Sequence, residues 1–86
     1  MAEAMSEAKL REWMAKLGPR LIAISTGICR DQHRAEEIVQ EAFVKLWNRP
    51  PEAGEVAYAS WLRRVVTNLS INALQRDKRP GGLPAF

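Results

Sequence analysis

The chain has 86 residues, 47% of them apolar, and a formal net charge of +3. That length allows one domain near the lower limit of a self-sufficient core, and the apolar share excludes a disordered chain. No apolar run approaches the roughly 20 residues of a membrane helix, the charged N-terminus is no signal peptide, and the lone Cys29 has neither a disulfide partner nor zinc-spaced companions. A cytoplasmic protein without a metal site is therefore expected.

No segment alternates with period two, so the predicted elements are helices. Ser6 is the first N-cap, with Lys9 where a capping box would carry Glu. Ala8, Leu10, Trp13, Met14 and Leu17 lead to Gly18-Pro19. There the pattern either breaks into a second segment, with Leu21, Ile22, Ile24, Ser25 and Ile28 as its spine, or continues as one kinked helix. Asp31 caps a further helix reaching about Trp47. At about 100° per residue, Ala35, Ile38, Val39, Ala42, Phe43, Leu46 and Trp47 share one half of its circumference. Glu37, Gln40, Glu41, Val44, Lys45 and Asn48 fill the other half, where Val44 is the apolar exception.

Pro50 and Pro51 stop that helix, and a loop over residues 50–56 carries Glu52, Gly54 and Glu55. A last helix runs from about Ala57 to about Asp77. Its inner stripe is Tyr58, Leu62, Val65, Val66, Leu69 and Ala73. Arg64, Asn68, Ile71, Gln75 and Lys78 form a second, mostly polar stripe. From Arg79 to Pro84 there is no period. The reading is an all-α, compact bundle of three to four helices, with residues 1–79 as the domain and 80–86 as the start of a linker or tail.

Charge is unevenly placed. Residues 61–80 hold five basic side chains against Asp77, a net of +4, whereas residues 1–60 hold eight basic and nine acidic ones, a net of −1. One end of the molecule therefore suits an anion such as nucleic acid, although cations at a helix end also complement the helix dipole. No catalytic set is visible. His33 sits on a polar first turn without a Ser, Cys or carboxylate at useful spacing, and Gly81-Gly82 lack the strand and helix of a phosphate loop. Neither an enzyme nor a cofactor is expected.

Two segments carry more information. The first is AEEIVQEAFVKLW, residues 35–47; the second is WLRRVVTNLSINAL, residues 61–74, followed by Arg76. In this order and spacing they resemble the two signature helices in conserved region two of the extracytoplasmic-function (ECF) bacterial sigma factors. Gly18-Pro19-Arg20-Leu21 and the Asp31 turn resemble the family's first helix, so the likeness spans about residues 10 to 79. It implies a transcription initiation domain that melts the promoter minus-ten element without ATP.

The resemblance assigns partners and residues. Glu37, Gln40, Glu41, Val44 and Lys45 would dock on a coiled coil of the largest subunits of core RNA polymerase, a polar rim around one apolar contact. Asn68 would line a pocket for a base flipped from single-stranded minus-ten DNA, its amide suited to a base edge. Arg64, Gln75 and Lys78 would follow the phosphates; Asn72 lies near the DNA side, and Arg63 and Arg76 lie off that stripe but have side chains long enough to reach a backbone. Trp61 reads as a core or helix-edge aromatic rather than a stacking platform. Asn72 replaces the family's usual Asp, and the pocket-shaping loop lacks the usual Phe while carrying Glu52 and Glu55. The family's minus-35-reading helix-turn-helix is absent from these residues, as in an excised domain. A second reading is a sigma-like helical interaction domain that regulates transcription through an anti-sigma partner. A duplex-reading helix-turn-helix would need a tight turn of about three or four residues, and the loop over residues 50–56 is too long for that.

Overall fold

The computed structural model describes residues 5–78, with the side chains of residues 77 and 78 excepted. Three α-helices pack mutually: α1 (Glu7–Cys29), α2 (Gln32–Asn48) and α3 (Tyr58–Lys78), with a 3-10 turn (Glu55–Ala57) leading into α3. The expected tail over residues 80–86 lies outside the described residues.

Both predicted caps are in place. The Ser6 hydroxyl accepts from the Lys9 amide at 3.1 Å, and the Asp31 carboxylate accepts from the Arg34 amide at 3.1 Å. Each satisfies one of the amides that a helix start leaves unpaired. Between them, Arg30 adopts the left-handed conformation (φ 61°) and donates its amide to the Thr26 carbonyl at 2.8 Å. That one residue turns α1 into α2.

The alternatives at Gly18-Pro19 resolve as one continuous helix containing Pro19, so the bundle has three long helices rather than four. A proline ring usually drives the preceding residue out of the helical region by colliding with its Cβ. Gly18 has no Cβ, and α1 passes through.

The core lies where the three helices meet. Leu21 of α1, Leu46 of α2, and Leu62 and Val66 of α3 are its most deeply buried large side chains, flanked by Ile38, Val39, Phe43 and Tyr58. The expected apolar stripes of α2 and α3 therefore do face inward, with one correction, while Ala8 and Met14 of the α1 run are exposed. Trp47, placed by its spacing among the core residues, is 44% exposed. It stands at the margin of the apolar arc, in the last turn of α2, where it borders an open groove instead of entering the core.

One polar pair crosses the apolar interior. The Ser25 and Ser70 hydroxyls are 2.6 Å apart and fully buried, and Ser70 donates to the Val66 carbonyl at 2.7 Å. Ser70 has one proton and uses it on Val66, so Ser25 is the donor to Ser70. The chain Ser25 to Ser70 to Val66 ties α1 to α3 with no buried polar atom left unmatched. No described helix is long and apolar enough to cross a membrane.

Candidate functional site

From Tyr58 to Arg76, α3 contains no Asp or Glu. Its inner stripe consumes Tyr58, Leu62, Val66 and Ala73, which leaves Arg63, Arg64, Asn68, Asn72, Gln75 and Arg76 exposed. Among the described residues, Arg63, Arg64 and Arg76 form no ion pair, and the amides of Asn68, Asn72 and Gln75 have no hydrogen-bond partner. The solvent side of the helix thus presents cations and amides with uncommitted donors and acceptors, spread over a wide arc. Lys78, assigned to the same stripe, ends α3, and its side chain lies outside those described.

The five residues expected to form one docking patch on α2 are all exposed, but they divide among three places on the helix. Gln40 and Val44 border a groove of about 430 Å³ between α1 and α2, together with Leu10, Met14, Phe43 and Trp47. Val44 is 56% exposed and Met14 40%, so the groove offers apolar surface to solvent. Glu37 and Glu41 instead face α3, across a groove of about 240 Å³ that also holds Asn72 and Arg76. Two candidates for polymerase and two for DNA therefore share one seam. Glu37 is also within 3.4 Å of His33, a pairing one turn away that corrects the expectation of a histidine without a carboxylate neighbour.

Lys45 lies elsewhere again. It borders a hollow of about 360 Å³ with Asn48, Arg49 and Trp61, where the end of α2 meets the start of α3. Among the described residues, Lys45 and Arg49 have no ion-pair partner and the half-buried Trp61 has no acceptor for its indole N–H. Asn48 and Arg49 were not anticipated here. Their spacing from Lys45 hinted at a basic helix end, but the aromatic wall comes from a distant part of the chain.

The loop between α2 and α3 is attached to α1. Trp13 donates its indole N–H to the Glu55 carboxylate at 3.0 Å, and the Lys9 ammonium approaches the same oxygen at 3.4 Å. Trp13 also meets the Tyr58 ring edge-on, with centroids 5.5 Å apart at 61°, and carries the Lys16 ammonium 5.6 Å from its ring centre. The Trp13 hydrogen bond, then the hydrogen bond and charge of Lys9 and the charge of Lys16, hold Glu55 below its ordinary carboxylate range against an opposing desolvation effect.

Residues 13–80 match the family model of sigma-70 region 2. The chain belongs to that family. It is 35% identical over 57 residues to "Probable RNA polymerase sigma factor RfaY" of Xanthomonas campestris pv. campestris, an alignment that covers 65% of this chain. The chain spans 14% of that relative's length, and no solved structure matches it.

For a region 2 domain the two signature segments fall on the elements just described. Residues 35–47 make up most of α2, and residues 61–74 the middle of α3. The grooves on either side of α2 and the acid-free face of α3 are thus carried by the two helices that first singled the sequence out.

Proposed function

We propose that this region 2 domain, of the extracytoplasmic-function type, docks on core RNA polymerase and holds single-stranded minus-ten promoter DNA with one base flipped out of the stack. One observation carries the reading: α3 exposes Arg63, Arg64, Asn68, Asn72, Gln75 and Arg76 with no acidic side chain from Tyr58 to Arg76. The arginines bind phosphate whatever the sequence, and the free Asn68 amide can meet the edge of one base. Extruding a base costs a few kcal/mol, which a receiving pocket can repay, so melting needs no nucleotide hydrolysis. The loop over residues 50–56 forms the wall of that pocket.

Docking centres on Gln40 and Val44 at the α1–α2 groove, with Glu37 and Glu41 contributing from the α3 side of α2 and Lys45 from its end. An apolar centre with a polar rim suits a protein surface. The same groove suits an anti-sigma partner, which would then compete with polymerase. A cytoplasmic location follows for a factor that works on chromosomal promoters.

Binding of labelled oligonucleotides of minus-ten sequence tests the DNA half of the reading. The single strand is expected to bind more tightly than the duplex at matched salt, and affinity is expected to fall steeply as salt rises because phosphate contacts release counterions. Tighter binding to the duplex contradicts this reading.

A further inference from the structure

The loop between α2 and α3 has few tethers of its own. Within it the Gly54 amide donates to the Pro51 carbonyl at 3.0 Å and the Ala57 amide to the Gly54 carbonyl at 2.9 Å. Gly54 has φ 88° and ψ −163°, a conformation essentially restricted to glycine, and glycine is the residue most free to leave it. Gly54 is therefore the pliable point of a loop whose Pro50 and Pro51 are held at a fixed φ. Beyond its turns, the loop is joined to α3 by the Tyr58 amide donating to the Glu55 carbonyl, and to α1 by the Glu55 side chain held by Trp13 and Lys9.

The grip is well placed to fix a position. Trp13 comes from the middle of the first half of α1, and its ring packs edge-on against Tyr58, a buried residue at the start of α3. A single indole thus ties the Glu55 side chain and the first residue of the DNA-facing helix to α1, across a 3-10 turn whose backbone already joins the Glu55 carbonyl to the Tyr58 amide. Next to Glu55, Val56 is 88% exposed, the most exposed large apolar side chain described. An apolar group held in water beside a base-binding helix has a use if it meets a base, since contact with a methyl group or ring face discriminates among bases.

We propose that Trp13 and Lys9 form a positioning latch: through Glu55 they hold the α2–α3 loop, and with it Val56, where the flipped base is received, and so sharpen the choice of base. This rests on the proposed single-strand reading. Trp13 and Lys9 touch no DNA in this scheme and act through the loop. A loop released from the latch samples other positions, and only the fraction still in place reads the base.

The variants Trp13→Phe, Glu55→Ala and Glu55→Gln separate the latch from general stability. Trp13→Phe keeps an aromatic ring against Tyr58 and loses the donor; Glu55→Gln keeps an acceptor for Trp13; Glu55→Ala keeps neither. Two readouts are needed: hydrogen exchange of the amides over residues 52–57, and affinity for four single strands differing only at the flipped base. Trp13→Phe and Glu55→Ala are expected to speed loop exchange and to narrow the ratio between best and worst base by roughly three- to tenfold, with the salt slope kept. Glu55→Gln should restore most of that ratio, and the Trp13→Phe, Glu55→Ala double variant should be little worse than either single one. Unchanged loop exchange, or an equal loss on all four strands, overturns the latch. If the wild-type domain ranks the four strands equally while the latch variants still speed loop exchange, the base-capture reading fails and the latch's role in selection falls with it.

Discussion

Asn68 and Arg64 stand one helical turn apart on α3, both exposed, and should fail in different ways. Losing the Arg64 charge should weaken binding to every single strand alike and make the salt slope shallower. Asn68→Ala should instead flatten the preference at one minus-ten position by roughly 1–3 kcal/mol while leaving the salt slope intact. Titrating the four single strands against each variant checks both statements; an Asn68→Ala domain that keeps the wild-type ranking would mean that Asn68 does not read the base. A capping role for the amide is disfavoured by its lack of any partner among the described residues. At this scale the sequence was informative about exposure, because the period of α3 separates Asn68 and Arg64 from Leu62 and Val66. It was silent on Trp13 and Glu55, which meet across 42 residues and leave no local period. Their types allowed many partners, and only the fold selects this one.

The starts of α1 and α2 were legible because cap and apolar period agree, and α3 was legible from its period. Ser6 and Asp31 were readable as caps from residue type and position, and both hold their expected amides. Continuity through Gly18-Pro19 was not decided by the pattern, since the same dipeptide can end a helix or pass through one; packing of Leu21 and Ser25 against the other helices decides it. Ser25 was legible as an inward position, but Ser70 was not, lying unmarked between Val66 and Ala73. Together they set how α1 sits on α3. Ser70→Ala leaves a buried donor on Ser25 without its acceptor, and is expected to cost about 1–3 kcal/mol. Ser25→Ala should cost less, since Ser70 still donates to Val66, and the double variant should cost less than the two singles combined. Thermal denaturation of the three variants measures this, and strict additivity would mean the hydroxyls are not coupled.

In the whole molecule, three helices divide the surface by chemistry. The α1–α2 side is an apolar groove with Met14, Val44 and Trp47 in reach of a partner, and the exposed side of α3 is basic and amide-rich. The seam between α2 and α3 lets Glu37 and Glu41 share a groove with Asn72 and Arg76, so the two proposed surfaces adjoin. The all-α fold class could be read from pattern, and the two signature helices from their resemblance to the family. The split of the docking residues could not, because one helical wheel shows which residues are outside but not which neighbour borders them. Val44 illustrates the gain: an apolar anomaly in the sequence becomes the rim of a groove shared with α1. The most direct test of the account is a titration of fluorescently labelled domain with core RNA polymerase, for the wild type and for the Gln40→Ala, Val44→Asp double variant. The account predicts saturable binding by the wild type and a loss of about 2 kcal/mol or more, roughly thirtyfold, in a variant with unchanged helical circular dichroism. No saturable binding by the wild type, or equal affinity of the folded variant, would contradict it.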